Sequence, residues 1–430
     1  MAPRSTWQTR ASAPDLARLR IALLVYRGNP YCGGQGVYTR HLARGLVERG
    51  HAVTVFAGQP YPHLDAGVDF VALPSLDLYR EPEPFRHPRL RELASAVDVL
   101  ELATMFAGGF PEPRTFSLRA HRSLAKRRGA FDIVHDDQSL GTGLLHLMRD
   151  GWQVLSSIHH PIAIDRQVDL EQAQSAAKRV SLKRWYGFSA MQDRVAVRLP
   201  QVITVSQSSK RDIVEHMGIE AEAISVVPVG VDTSLYRPLP VVARVPGRII
   251  TTASADVPLK GLQYLLEALA KVRTEMPDAH LVVVGKLREH SAAKEVIERL
   301  GLDRCVQFVS GLSDEELVRQ YATAQVAVVP SLYEGFSLPA IEAMACELAL
   351  VVTSGGALPE VVGDDGLTAR VVPPGDAHAL GVGLISLLED APLRARLGSQ
   401  GRARVMARFT WAETARATEE RYRIQLAGTR

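Results

Sequence analysis

Cysteine is scarce in this 430-residue sequence, which contains only Cys32, Cys305 and Cys346. An odd number of cysteines without paired spacing predicts neither a disulfide framework nor a zinc site. Thiols of this kind are typical of proteins in a reducing compartment. The sequence therefore predicts a cytoplasmic protein.

Long apolar runs and a strong net charge are lacking as well. No apolar stretch approaches the roughly 18 to 20 residues that a bilayer-spanning helix needs, and the N-terminal residues contain no apolar signal-peptide core. The 50 basic and 47 acidic side chains nearly cancel, to a formal charge of +3. The overall balance therefore gives no indication of a nucleic-acid partner, and any charged site must be local.

Short apolar runs alternate with helical patterns from Arg20 onward. The first half contains RIALLVY, AVTVF, FDIVH, QVLSSI and QVITVS, and the second half contains RIITTAS, AHLVVVG, CVQFVSG, QVAVVP and LALVVT. Alternation of this kind is typical of parallel sheets covered by helices on both faces. The segment 228–247, rich in proline and glycine, indicates a hinge between two such units.

These patterns predict an α/β fold of two Rossmann-like, doubly wound parallel-sheet domains. The expected divisions are a disordered tail (1–19), a first domain (20–240), a second domain (241–408) and a C-terminal helix (409–430) that packs back on the first domain. Ligands of open parallel sheets bind beyond the carboxyl ends of the strands. Two facing sheets therefore predict a central cleft with one substrate on each side.

The most informative segment is PSLYEGFSLPAIEAMA, residues 330–345, which follows a predicted strand and opens a helix. Pro339 suits the first helical position, and the amides of residues 335–340 would be free to bind an anion or sugar hydroxyls. Glu334 in the loop and Glu342 in the predicted first turn are suited to accept hydrogen bonds from vicinal hydroxyls. The alternative is a solvated loop carboxylate and one that complements the helix dipole.

Two other predicted strand ends carry candidate ligand-binding groups. Residues 33–36, Gly-Gly-Gln-Gly, follow the first strand, so their amides are placed either to face a phosphate or sugar or simply to form a tight turn. His159 and His160 follow another strand and would point to opposite sides if the strand continued through both, which disfavours a paired metal site. His159 is then either a cleft residue or a structural hydrogen-bonding group.

Polar residues at two further strand ends are interpreted mainly as helix caps. Asp137 is predicted to cap a helix that starts near Ser139, with metal binding by Asp136 and Asp137 as the alternative. Ser206 and Ser208 lie at a predicted strand-to-helix turn, where the main interpretation is capping of the helix that follows. Contact with an acceptor or a phosphate is the alternative for these serines.

Glu334, seven intervening residues and Glu342, within a Gly-Phe-x-Leu-Pro context, resemble the E-x7-E signature of the family-4 retaining glycosyltransferases. This family, also called glycosyl transferases group 1, has the GT-B fold. GGQGVYTRHLARGLVERGHAVTVF resembles its first loop and helix, VVPVGVDTSLYRP its interdomain segment, and PLKGLQYLLEAL the start of its donor domain. The resemblance thus spans roughly Arg20 to the end of the chain.

The resemblance implies a role for each matching position. Glu342 would hold the ribose of the nucleotide, Glu334 and nearby amides would hold the transferred sugar, and His159 would lie near that sugar. Lys260, otherwise a surface lysine, would stabilise the departing diphosphate. The implied catalytic residues are His159, Lys260 and Glu334. The implied donor-binding residues are Gly34, Gly36, Ser254, Lys260, Gly285, Glu334, Gly335, Phe336, Ser337, Leu338 and Glu342.

The sequence departs from the family pattern at three places. The arginine expected five residues before the lysine is Ala255, so Ser254, the amides of this loop or Arg288 would have to compensate. The family's Asn-Gly-Val-Asp begins with Val229, and its Gly-x-Gly begins with Gly285 but lacks the second glycine. The loss of the arginine keeps a non-catalytic nucleotide-sugar-binding protein open, and the architecture keeps an epimerase or a phosphorylase open.

The implied function is transfer of a sugar, with retention of anomeric configuration, from a UDP- or GDP-sugar to a glycan, lipid-linked or small-molecule acceptor. No cofactor, metal ion or nucleic acid is expected. Basic clusters at 122–128 and 178–184 are either solvated faces or a surface for anionic lipid head groups. Peripheral association with the inner face of the membrane is the corresponding prediction.

Overall fold

The computed structural model of the chain describes residues 18–29, 34–80, 82–173, 175–252, 257–287 and 291–428. These residues form two parallel sheets with helices packed on their faces, and the first sheet is complete in sequence before the second begins. Each sheet reverses its strand order at an internal strand, which defines a doubly wound domain. The predicted pair of doubly wound α/β domains is confirmed.

The first sheet consists of β1 (Arg20–Val25), β2 (Ala52–Ala57), β3 (Asp69–Ala72), β4 (Ile133–Asp137), β5 (Val154–Ser157), β6 (Val202–Thr204) and β7 (Ile224–Val226). Its helices are α1 (Gln35–Glu48), α2 (Ala96–Phe106), α3 (Glu112–Ala125), α4 (Thr142–Arg149), α5 (Ile162–Gln172), α6 (Ala176–Trp185), α7 (Ser189–Ala196) and α8 (Gln207–Met217). The spatial order is β3-β2-β1-β4-β5-β6-β7, and all neighbouring strands are parallel. The order reverses beside β1, so a binding crevice is expected where β1 and β4 end.

The second sheet consists of β8 (Arg248–Thr252), β9 (His280–Val284), β10 (Val306–Val309), β11 (Val326–Val329), β12 (Ala349–Thr353) and β13 (Arg370–Val372). Its helices are α9 (Leu262–Glu275), α10 (Ala292–Leu300), α11 (Asp314–Thr323), α12 (Leu338–Ala345), α13 (Leu358–Val362), α14 (Ala377–Glu389) and α15 (Ala391–Arg408). The spatial order is β10-β9-β8-β11-β12-β13. The corresponding crevice lies where β8 and β11 end.

The central strands are apolar because helices cover both faces of each sheet. Every residue of β11 and β12 is buried, as expected for parallel strands in this position. One apolar cluster continues from β1 in the first domain to β11 in the second, by way of Phe409 and Trp411. The two domains therefore share part of their core instead of meeting only through polar surfaces.

The first domain begins slightly earlier than predicted. The proposed tail of residues 1–19 lies outside the described residues except for its last two positions. Arg18 is exposed, whereas Leu19 is buried and its N–H donates to Nδ1 of His51 at 3.2 Å. Leu19 thus contributes to the domain core.

The polypeptide crosses between the domains twice, and the two crossing segments lie side by side. Val231 N–H donates to the Phe409 carbonyl at 2.9 Å, and Val231 forms a parallel bridge with Thr410. Gly230 lies against the backbone of Trp411 so closely that a Cβ at this position would overlap with it. The domains are therefore connected by two adjacent, hydrogen-bonded segments and not by one flexible linker.

The last helix, α16 (Trp411–Ala427), leaves the second crossing and packs along α1 of the first domain. Ala415 fits against Gly45, where an added Cβ would come within 2.8 Å of the alanine side chain. Tyr422 reaches His135 on β4, with 2.6 Å between Oη and Nδ1, and Ser157 lies on the other side of that ring, 2.7 Å from Nε2. Burial lowers the pKa of His135 to about 4, so its imidazole is neutral at pH 7.

We expect Tyr422→Phe to destabilise the protein. The substitution leaves a buried ring nitrogen of His135 without its partner, which typically costs about 1–3 kcal/mol. The unfolding temperature measured by differential scanning calorimetry should fall. A variant that unfolds at the wild-type temperature would contradict a structural role for this hydrogen bond.

Candidate functional site

A cleft of about 710 Å³ lies between the carboxyl ends of the two sheets. The first domain contributes side chains from the ends of β1 and β5 and from α1, and the second contributes the loops after β8 and β11. Residues that line the cleft include Arg27, Gly34, Tyr38, His159, His160, Lys260, Tyr333, Glu334, Gly335, Phe336, Leu338 and Trp411. Most of the predicted catalytic and sugar-binding positions are therefore brought together.

The central charged pair of the cleft joins Lys260 to Glu334. The lysine Nζ lies 2.8 Å and 3.0 Å from the two carboxylate oxygens, and Ser331 Oγ donates to the same carboxylate at 2.7 Å. Gly261, at φ 65°, lets its loop approach the carbonyl of Pro330, where any side chain would overlap. Backbone packing between the two loops thus places the lysine next to the glutamate.

The loop that follows Glu334 enters α12 through an unusual backbone conformation. Ser337 has φ 122° and ψ 89°, a region in which a residue with a side chain is strained. Its Oγ caps the helix by accepting a hydrogen bond from Ala340 N–H at 3.4 Å. Leu338 is the first helical residue and Pro339 the second, so the predicted position of the proline was wrong by one residue.

Glu342 lies in the second turn of α12, not in the first as predicted, because it is the fifth helical residue. Tyr321 Oη donates to its Oε2 at 3.1 Å. Burial raises the pKa of Glu342 to about 7, although the hydrogen bond from Tyr321 opposes the shift. At neutral pH the group is therefore divided between carboxylic acid and carboxylate.

His159 is held on the opposite wall of the cleft. Its Nε2 lies 2.7 Å from Asp137 Oδ1, and Thr39 Oγ1 donates to the other oxygen of that carboxylate at 3.1 Å. The edge of the ring meets Tyr38, with 4.6 Å between ring centroids. Strand β5 ends at Ser157, before both histidines, which explains why His159 and His160 line the same cleft.

The predicted capping role of Asp137 was wrong. Helix α4 begins at Thr142, and its N-cap residue, Gly141, makes no side-chain cap. The neighbouring Asp136 instead holds the turn, accepting from Leu140 N–H at 3.0 Å, which leaves Asp137 free to orient His159. Ser206 caps α8 as predicted, since its Oγ accepts from Ser209 N–H at 2.9 Å.

The remaining predicted donor-binding positions have different environments. Gly34 is the N-cap residue of α1 with φ 76°, and Gly36 lies so close to the Asn29 carbonyl that a Cβ would overlap with it. Gly285 donates its N–H to the Val309 carbonyl at 2.8 Å and does not line the cleft described above. Ser254, together with Ala255 and Arg288, lies outside the described residues.

Tyr38, Tyr333 and Trp411 line the cleft but were not singled out from the sequence. Asp137 was singled out as a helix cap or a metal ligand, but it instead orients His159, which lines the cleft. Their positions at strand ends and helix starts are a weak signal, because many residues with no role share such positions. Across the described part of the chain, no helix is long and apolar enough to cross a membrane.

Comparison with known proteins agrees with this geometry. The family model described as Glycosyl transferases group 1 matches residues 242–404, and the one described as Glycosyltransferase Family 4 matches residues 32–235. An MMP alpha-(1->4)-mannosyltransferase of Mycolicibacterium hassiacum is 50% identical over 410 residues, which cover 95% of this chain and 99% of that protein. A D-inositol 3-phosphate glycosyltransferase of Kineococcus radiotolerans is 27% identical and covers 94% of this chain and 95% of its own length.

Solved structures share the fold. A sucrose-phosphate synthase of Thermosynechococcus elongatus superposes with a TM-score of 0.71 at 24% identity, over 96% of this chain and 100% of that one. The HepE protein of Anabaena in complex with UDP and glucose gives 0.68 at 19% identity, over 94% and 99%. The two facing domains, with Glu334 of the E-x7-E segment in the cleft and Glu342 behind it in α12, define a glycosyltransferase of the GT-B type.

The chain belongs to the group 1 glycosyltransferases. The predicted family, fold and enzyme class are thereby confirmed. A non-catalytic binding protein, an epimerase and a phosphorylase, which the sequence alone left open, receive no support from these relatives.

We expect the raised pKa of Glu342 to give the free enzyme a characteristic pH dependence. The pKa is about 7 in the folded chain and has an ordinary value of 4.5. The stabilisation from the folded-state environment is therefore fully present below about pH 4.5 and is lost as the pH rises through about 7. As the pH rises from about 4.5 to about 7, the unfolding temperature of the wild type should therefore fall relative to that of Glu342→Gln. Parallel pH profiles would contradict the assignment.

Proposed function

We propose that the enzyme transfers a mannosyl group from a nucleotide-sugar donor, with GDP-mannose as the first candidate, to a saccharide acceptor in an α-(1→4) linkage. The observation that carries this proposal is the 50% identity to an MMP alpha-(1->4)-mannosyltransferase over nearly the full length of both proteins. The cleft is compatible with it, because carboxylate and backbone groups are concentrated on the side predicted to hold the donor sugar.

Lys260 and Glu334 are poised for donor binding. In the free enzyme the ammonium group donates to the carboxylate at 2.8 Å and 3.0 Å. An ammonium group has three N–H donors, so it can contact a diphosphate oxygen while it keeps one bond to Glu334. The carboxylate oxygen that is released then becomes available to accept from a sugar hydroxyl. The same lysine stabilises the charge that develops on the departing diphosphate.

We propose that the configuration at the anomeric carbon is retained. An α-linked product from an α-linked nucleotide sugar corresponds to retention. The bond from the anomeric carbon to the diphosphate oxygen breaks, the bond to the acceptor oxygen forms, and the acceptor's proton passes to the departing phosphate. Asp137 and Tyr38 hold His159 at the wall of the cleft. In the proposed mechanism, the imidazole of His159 orients hydroxyl groups of the transferred sugar.

A transfer assay tests this function. Purified enzyme is incubated with GDP-mannose, or with UDP-glucose, UDP-galactose or UDP-N-acetylglucosamine, and α-(1→4)-linked manno-oligosaccharides. We expect transfer from GDP-mannose and an α-(1→4) product by NMR. Lys260→Gln should lower kcat/KM by about 100-fold or more, because a donor to the developing charge is lost.

Lys271→Gln is the matched control, because Lys271 is exposed on α9 in the same domain. This variant should retain wild-type kcat/KM. Transfer from a UDP-sugar but not from GDP-mannose would contradict the proposed donor. A β-linked product would contradict retention.

We further propose that transfer needs no metal ion, since Lys260 supplies the positive charge beside the diphosphate. Initial rates with EDTA should equal those with added Mg²⁺. A rate that falls in EDTA and is restored by Mg²⁺ would contradict this proposal. Peripheral membrane association remains a prediction from the basic clusters.

A further inference from the structure

The N-terminus of α8 in the first domain contacts the loop between β11 and α12 in the second domain, which contains Glu334 and Gly335. Ser206 Oγ donates to the Gly335 carbonyl at 2.6 Å, and Ser209 Oγ donates to the same carbonyl at 3.0 Å. Ser209 also lies 3.4 Å from the carbonyl of His159. Two hydroxyl groups from one domain therefore converge on a single carbonyl of the other, at the residue that directly follows Glu334.

A carboxylate of the second domain also holds the N-terminus of α8. Glu360 of α13 accepts hydrogen bonds from the backbone N–H groups of Gln207 and Ser208, each at 2.7 Å. A carboxylate at a helix N-terminus is favoured by the free N–H groups and by the helix dipole. Tyr333 Oη donates to Asp212 farther along α8. Polar contacts of Glu360 and Tyr333 with α8 therefore accompany the two hydrogen bonds to Gly335.

The orientation of the Gly335 carbonyl fixes the direction of the next amide. A peptide unit is planar and trans, so the N–H of Phe336 points opposite to the carbonyl that Ser206 and Ser209 hold. Among the described residues, the N–H groups of Phe336, Ser337 and Leu338 have no backbone acceptor. The strained φ of Ser337 shows that this stretch is held in its conformation by its surroundings.

We propose that Ser206 and Ser209 are positioning residues that orient the sugar-binding amides of the loop when the two domains are together. This inference rests on the proposed function, which assigns the loop to the transferred sugar. Glu360 keeps α8 in place for this task. The nucleotide side of the site, with Glu342 and Tyr321, lies within the second domain and does not depend on these contacts.

The test compares ligands with and without the sugar. Calorimetric titration gives the Kd of GDP and of GDP-mannose for wild type and for Ser209→Ala, which removes one of the two hydrogen bonds to Gly335. We expect GDP-mannose to bind about fivefold more weakly to the variant, as for loss of one hydrogen bond, and GDP to bind equally well. If Ser209 had a purely structural role, the substitution would weaken the binding of GDP and of GDP-mannose by the same factor.

Ser208→Ala is the matched control in the same helical turn. The contact of Ser208 with Glu360 uses its backbone N–H, so the substitution leaves that contact intact. Ser206→Ala is less informative, because it also removes the cap of α8. Glu360→Ala provides a second variant on the opposite side of the junction, and it should reproduce the selective loss of affinity for GDP-mannose.

Three outcomes overturn the inference. In Ser209→Ala, the affinities for GDP and GDP-mannose could fall equally, or neither affinity could change. In Ser208→Ala, the affinity for GDP-mannose could fall as much as it does in Ser209→Ala. If wild type binds another nucleotide sugar in preference to GDP-mannose, the proposed donor is wrong, and the same comparison is made with that donor and its nucleotide. If no nucleotide sugar binds more tightly than its free nucleotide, the sugar-binding role of the loop and the inference both fail.

Discussion

The paired crossing between the domains is the constraint on which the rest of the structure depends. Val231 and Phe409 are joined by a backbone hydrogen bond, and Gly230 has room only for a hydrogen atom beside Trp411. Two adjacent connections restrict how the domains move relative to each other more strongly than one linker would. Trp411, which leaves the second crossing, lines the cleft directly. The paired crossing therefore both limits the separation of the two domains and supplies a residue of the cleft wall.

Within the cleft, charged and polar groups are partnered before any substrate is present. Lys260 is paired with Glu334, and both line the cleft; His159, which also lines it, is paired with Asp137. Pre-formed pairs reduce the reorganisation that accompanies binding, because each side chain already has a fixed direction. The two walls are joined through the Gly335 carbonyl, so the loop between β11 and α12 is held by contacts from both domains.

The features that the sequence predicted are those encoded locally. The strands and the E-x7-E segment are visible because strand periodicity and motif spacing act over a few residues. Asp137 and Ser209 were misread or missed because their partners are distant, 22 residues away for His159 and 126 for Gly335. The error at Pro339 is smaller. Proline is accepted at more than one position of the first helical turn, so the sequence placed the start of α12 one residue too late.

The contact between Tyr422 and His135 spans 287 residues of sequence. During synthesis the chain emerges from its N-terminus, so the first domain must wait for the whole second domain before α16 can cover α1. Until then the apolar face of α1 around Gly45 and the ring of His135 lack their final neighbours. A ribosome that stops before the last helix would release a chain with both sheets encoded but an uncovered surface on the first, which is a substrate for chaperones and for aggregation.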